Sequence, residues 1–448
     1  MLISFALENW LSFKERSTFS MVAGLEKQHA KRVPRIKDYK MSLLPIAAIY
    51  GGNASGKTNL LKALSFAKDL IVRGTQPEAY IPVMPFRLDS ACLKAPTLLS
   101  FELFTDNRCY EFGFKVTSEK VVEEWLVEIR KTTEKELYHR HGDQIRFAPE
   151  LKKEQFLQFA FQGTRDNQLF LTNAVHQKVE TFKPIYKWFR DKLVLIAPDS
   201  RFGPIQHFIE KDHPLSQQMN ENLNQMDTGI ARLDGDFIEL GNLPVSDDLK
   251  NELFEKLSEG ETVDIGIEPE SERFLVARED GQLKARKLVS YHKDIGGKEI
   301  RFDLKQESDG TKRVIDLLPA FLDLMSGTDR VYVIDELDRS LHTLLSQSLL
   351  KGYLNAVDQD TRSQLLFTTH DVLLMDQKIF RRDEMWVTER DPMGCASLIA
   401  FSDYKDIRSD KDIRKSYLQG RIGGIPRLLL TDSPTNKPSM DKAKGDAV

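Results

Sequence analysis

Eight residues constrain this chain more than any others: Gly51-Gly52-Asn53-Ala54-Ser55-Gly56-Lys57-Thr58, a complete G-x-x-x-x-G-K-[ST] run. The glycines let backbone N–H groups curl around phosphate oxygens. Lys57 supplies a point charge for the β and γ oxygens, and Thr58 offers a hydroxyl to Mg²⁺. A glycine loop of this length also arises by chance, so its context decides. Before it, Leu43-Leu44-Pro45-Ile46-Ala47-Ala48-Ile49-Tyr50 has the length and flanks of a buried strand. After it, residues 59–73 place Leu60, Leu61, Leu64, Ala67, Leu70 and Ile71 on one face of a helix. Strand, loop and helix in that order aim a helix N-terminus at an anion. Asn59, at the start of the helix, completes the expected phosphate-binding set.

A second apolar strand, Val331-Tyr332-Val333-Ile334, ends in Asp335-Glu336. A strand that buries its body and exposes carboxylates at its C-terminal end matches a Walker B element. Asp335 would hold Mg²⁺, directly or through water, and Glu336 would polarise an attacking water. Alone, the pair could equally be a solvated acidic turn; beside a phosphate loop it reads as catalytic. A third strand, Gln364-Leu365-Leu366-Phe367-Thr368-Thr369, ends at His370. A lone histidine is more often structural. This one follows a strand expected to lie parallel to the second, where an imidazole reaches the γ-phosphate or the lytic water.

Upstream, Glu307-Ser308-Asp309-Gly310-Thr311-Lys312-Arg313 runs into the helical VIDLLPAFLDLM. A serine and a glycine at a helix start offer a hydroxyl, N–H groups and a dipole to an anion. The plain reading is a helix cap by Ser308 or Asp309, and both roles are compatible. The chain's own phosphate loop already serves one nucleotide, so a second phosphate cap makes sense in another subunit's site.

With these motifs in this order, the chain resembles ABC ATPases of the SMC/RecF/Rad50 class, and more narrowly the AAA15 group of bacterial ATPases. ESDGTKR, VIDELDRSLH and FTTHD carry the resemblance. So do the opening FALENWLSF, the run Pro82-Val83-Met84-Pro85-Phe86-Arg87-Leu88, the stretch RRDEMWVTER and the late YLQGRIGGIP. It covers most of residues 1–430 and is weak over 200–285. The resemblance implies hydrolysis of ATP to ADP and phosphate with Mg²⁺, and a head-to-head pair in which Ser308 and Gly310, with Asp309 and Thr311, contact the opposite subunit's ATP. Asp338, Ser340 and His342 would then lie on a loop crossing the interface. Asp309 and Thr311 depart from the LSGGQ form of transporters, which weakens a transporter reading. Gln76 fits a Q-loop glutamine by position only.

The resemblance implies an α/β fold: a P-loop ABC-type head with a mixed sheet, an antiparallel β subdomain and an inserted helical subdomain. The expected division is an N-terminal lobe over 1–150, with a meander over 97–130. A mostly helical insertion over 151–285, a C-terminal lobe over 286–430 and a disordered tail over 431–448 follow. No sustained heptads appear, so no long coiled-coil arm is expected. Members of the AAA15 group sit in bacterial anti-phage systems beside a nuclease. This chain leaves no room for a fused one, so the expected effector is a separate TOPRIM-like protein, restrained until a phage-encoded trigger arrives. The alternative is a RecF-like repair ATPase that clamps DNA. The formal net charge of −4 tilts slightly against it, although local basic patches stay possible. The odd set of Cys92, Cys109 and Cys395 fits no disulfide framework. The opening MLISFALENW lacks the basic n-region and apolar h-region of a signal peptide, and no apolar run reaches the ~18–20 residues of a membrane span. A cytoplasmic protein is expected.

Overall fold

The computed structural model describes residues 1–198, 205, 214–267, 272–404 and 412–420. The tail expected to be disordered lies outside them. Six strands form the central sheet: β1 (Ile46–Tyr50), β2 (Leu193–Ile196), β3 (Val331–Ile334), β4 (Gln364–Thr368), β5 (Met385–Arg390) and β6 (Ala396–Ala400). Their spatial order is β2-β3-β4-β1-β5-β6. All neighbours are parallel except β6, which runs antiparallel to β5.

Parallel strands need cover on both faces, which is why β1, β3 and β4 are apolar runs rather than alternating ones. Their side chains divide by parity between two cores. Ala47, Ile49, Val331, Val333 and Leu366 join the face covered by Leu60, Leu64 and Ala67 of α1 (Lys57–Val72). Ile46, Ala48, Tyr332, Ile334 and Phe367 join the face covered by α2 (Asp309–Met325) and α3 (Thr343–Ala356).

A seven-stranded antiparallel sheet backs the first of these cores. The expected meander is present and longer than 97–130, running through strands Thr97–Thr105, Arg108–Val116, Val121–Ile129, Glu134–His141 and Gln144–Phe147. The N-terminal strand Leu2–Glu8 joins its far side, with Phe5 stacked on Phe101 at 4.8 Å. Buried Gln364 ties the two sheets: its side-chain amide accepts from the Leu2 N–H and donates to the carbonyls of Leu2 and Leu44.

The inserted segment changes character along its length. Between 151 and 192 it is helical, as expected, with helices Gln155–Gln162, Phe170–His176 and Lys183–Lys187. Buried Glu124 docks the second of them by accepting the Phe170 and Leu171 N–H groups. Beyond 214 the mostly helical reading fails. Helices Pro214–Gln225 and Asp247–Lys256 accompany a five-stranded antiparallel sheet of Ile230–Ile238, Thr262–Ile267, Glu272–Glu279, Gln282–Lys293 and Glu299–Asp303. Lys and Arg punctuate these strands, as in QLKARKLVSYHK, and so mask the period of two that marks a half-buried strand. The longest described helix has 17 residues, so no coiled-coil arm is present among the described residues. Nor is any described helix long and apolar enough to cross a membrane.

Candidate functional site

Ligands of parallel α/β sheets bind outside the carboxyl ends of the strands, and here β1, β3 and β4 deliver their motifs to one edge. A cavity of about 730 Å³ opens there, lined by Asn53 to Asn59, Glu336 and His370. Gly51 and Gly52 underlie it, their carbonyls accepting from Lys57 Nζ at 2.7 and 3.1 Å. Gly51 has φ of 151°, and a Cβ there would meet Thr388 Oγ1 at 2.5 Å, so only glycine fits under the loop. Lys57 Nζ also lies 3.4 Å from His370 Nδ1, whose other nitrogen is 3.8 Å from Glu336 Oε1. Burial lowers the Lys57 ammonium to about 8, against the pull of Asp335, Glu336 and Asp338. Burial, and then the Lys57 charge, also depress His370. A neutral imidazole between a cation and a carboxylate can donate one hydrogen bond and accept another.

Asp335 is buried beneath this array. Thr368 Oγ1 donates to its carboxylate at 2.5 Å and accepts the Glu336 N–H at 2.8 Å. Glu336 itself sits at φ of +49°, a left-handed geometry costing about 1–2 kcal/mol for a non-glycine residue. Arg313 of α2 reaches the same turn, its guanidinium 3.4 Å from the Asp335 carbonyl and 3.5 Å from that of Glu336. Thr58 and Asp335 offer one hydroxyl and one carboxylate. That hard-oxygen pair suits Mg²⁺, which keeps several waters and takes its remaining ligands from phosphates.

The remaining predicted residues lie elsewhere. Ser308 is the N-cap of α2, accepting the Thr311 N–H at 3.1 Å, so the plain capping role is present. Ser308 and Asp309 are exposed, and neither they, Gly310 nor Thr311 line the cavity. The loop 338–342 packs directly on them: a Cβ at Gly310 would lie 2.8 Å from the Ser340 carbonyl oxygen. Asp338 accepts the His370 N–H at 3.3 Å, and His342 caps α3 through the Leu344 N–H. The candidate residues thus form one cluster inside the cavity and another on the surface, joined through Asp338. Gln76 is exposed and does not line the cavity.

Several contributors carry no motif of their own. Leu11, Ser12, Pro85 to Leu88, Arg390 and Gly394 also form part of the cavity wall. Buried Asn9 holds this wall in place. Its amide donates to the Cys92 and Ala95 carbonyls and accepts the Phe86 N–H. Asn59 donates to Ser12 at 2.9 Å, and Ser55 bonds Thr388 at 2.6 Å. The signal for these residues lay in FALENWLSF, the run 82–88 and RRDEMWVTER, which carry the resemblance without announcing a role.

Among solved structures, the chain is similar to an SMC head domain from Thermotoga maritima, with 12% identity, a TM-score of 0.36, and 89% of this chain and 98% of that one covered. It is also similar to an Smc head bound to the C-terminal winged-helix domain of ScpA, with 12% identity, a TM-score of 0.40, and 89% and 97% covered. A third is an Smc head with an extended coiled coil bound to the C-terminal domain of ScpA derived from Pyrococcus furiosus, with 12% identity, a TM-score of 0.35, and 89% and 96% covered. Comparison with curated proteins finds no match. One family model spans residues 46–376, from the first residue of β1 to just past His370. The chain belongs to that family, described as an AAA domain, putative AbiEii toxin, of a type IV toxin–antitoxin system.

Proposed function

We propose that the protein binds and hydrolyses ATP with Mg²⁺ as a head-to-head dimer, and that this cycle makes it the sensor and scaffold of a bacterial anti-phage system. The division of the site carries the reading: Lys57, Glu336 and His370 converge in one cavity, whereas the start of α2, with Ser308 and Asp309 exposed and Gly310 half-buried, lines no part of that cavity. A second copy would supply that helix start to the first copy's γ-phosphate, with Asp338, Ser340 and His342 crossing between them. Lys57 leaves the Gly51 and Gly52 carbonyls for the β and γ oxygens. Glu336 takes the proton of the attacking water, and His370 orients that water or the γ-phosphate. Thr58 and Asp335 would hold Mg²⁺, which would supply positive charge to the phosphates. ATP-bound pairing would restrain a separate TOPRIM-like nuclease until a phage-encoded trigger releases it. The family's description as a putative toxin supports a chain that governs something harmful, and the motif resemblance is to the ATPase subunit of the PARIS defence system.

Ser308→Arg tests the pairing. The variant is expected to keep the ATP affinity of the single chain while losing ATP-dependent dimers and at least about tenfold in turnover, because a bulky cation replaces a hydroxyl at the interface. Light scattering with and without ATP, beside a phosphate-release assay, reads both; full activity would sink the trans contact. For the defence role, cells carrying the gene with its neighbours should plate phage poorly, and Lys57→Ala, which removes ATP-bound pairing, should release the nuclease and slow growth even without phage. Plating on the wild-type locus equal to that on cells without it would overturn that role, as would unslowed growth of the variant.

A further inference from the structure

Glu307 directly precedes the exposed serine, yet its own side chain is only 7% exposed. A carboxylate so placed needs hydrogen-bonding partners. Ser290 Oγ donates to it at 2.5 Å, and His292 Nε2 lies 2.6 Å away. Both belong to strand Gln282–Lys293 of the inserted sheet. Ser290 is fully buried, and the His292 ring is held edge-on to Phe302 at 4.8 Å. The clamp is therefore built by the sheet before Glu307 enters it.

A second tie lies further along α2. Arg273, on strand Glu272–Glu279 and 3% exposed, pairs with Asp264 on the neighbouring strand and donates to Asp316 Oδ1 at 2.7 Å. Asp316 stands seven residues beyond Asp309, about two helical turns on. Adhesion between sheet and helix is already supplied by Leu233, Leu275 and Leu288, which share a core with Val314, Leu317 and Leu318. Polar ties added to such a contact fix position, since they are directional where apolar packing is not. Together they bracket Ser308 and Gly310 from both sides.

We propose that Glu307, clamped by Ser290 and His292, is a positioning residue that sets Ser308 and Gly310 for the partner's ATP, so that ATP-dependent pairing is governed by the inserted sheet. This rests on the trans-contact reading above. Coupling through the sheet requires no contact between Glu307 and any nucleotide. A change imposed on strand Gln282–Lys293 would move the signature while leaving the Lys57 cavity of the same chain intact.

The test uses the full chain with Glu307→Ala and, separately, the double variant Ser290→Ala/His292→Ala. Binding of a fluorescent ATP analogue is measured at low protein concentration, and turnover is followed as protein concentration rises. Both variants are expected to keep single-chain affinity within about twofold while needing about tenfold more protein for half-maximal turnover, the size expected from losing hydrogen bonds to a charged group. Glu307→Gln, which keeps an acceptor for Ser290, should recover most of the loss. Wild-type concentration dependence in both variants would overturn the proposal, as would an equal loss of single-chain affinity, which marks general damage to the fold. Ser308→Arg, run alongside, separates the two readings. If it too pairs and turns over normally, the trans contact falls and this inference with it. If Ser308→Arg fails to pair while the clamp variants behave as wild type, only the positioning role of Glu307 falls.

Discussion

Lys57→Ala is expected to abolish measurable nucleotide binding. The ammonium sits where the proposed mode of binding puts the β and γ phosphates, bonded to the Gly51 and Gly52 carbonyls and 3.4 Å from His370. Two charge-assisted hydrogen bonds at about 1.5–3 kcal/mol each correspond to a loss of roughly two to four orders of magnitude in affinity. The pH dependence gives a second signature. Because burial lowers this lysine to about 8, binding above that pH must also take up a proton, and wild-type affinity should fall between pH 7 and 9. The alanine variant should show no such step. Stability runs the other way. A lysine whose folded value lies below its ordinary one costs the empty fold its charge, fully so below pH 8, and the cost fades as pH rises above it. Removing it should leave the melting temperature at pH 7 undiminished, which separates lost binding from lost folding. Normal ATP affinity in the folded variant would refute the phosphate-loop assignment.

What the sequence disclosed follows from how each feature is encoded. The phosphate loop is contiguous, and its glycines, lysine and threonine act through their own backbone and side chains, so eight letters suffice. Strands β1, β3 and β4 are equally legible because burial on both faces makes their bodies continuous apolar runs, with β4 polar only at its ends, Gln364 and Thr368. Thr368 was not legible in its role. Its bonds to Asp335 and Glu336 depend on the register that sets Ile334 beside Phe367, and pairing between strands is not written in either one. The same holds for Asn9, which reaches Phe86, Cys92 and Ala95 across a loop. The inserted sheet was hidden for a compositional reason. Its cations, among them Arg273, Arg286 and Lys287, interrupt the alternation, and their use becomes clear only when Arg273 meets Asp316 and Lys287 meets Glu272.

Glu336→Gln is expected to separate binding from chemistry. Among the described residues lining the cavity, Glu336 is the one carboxylate, and His370, depressed by burial and by Lys57, stays neutral beside it. In the proposed mechanism the carboxylate is thus the group that accepts the water's proton. Glutamine keeps the size and the backbone preferences of glutamate, so the strained turn at φ of +49° and the N–H bond to Thr368 should survive. It cannot take a proton, however, and loss of a general base costs typically 10²–10⁴ in rate. ATP should therefore bind with unchanged or tighter affinity, persist, and hold two chains together. Light scattering with ATP and Mg²⁺ should show a stable dimer in this variant where the wild-type protein shows a transient one. Combining it with Ser308→Arg should abolish that dimer while ATP stays bound, because the nucleotide would then lack its second wall. Hydrolysis at the wild-type rate in Glu336→Gln would remove this residue as the base. A trapped dimer that survives Ser308→Arg would instead place the pairing surface away from α2.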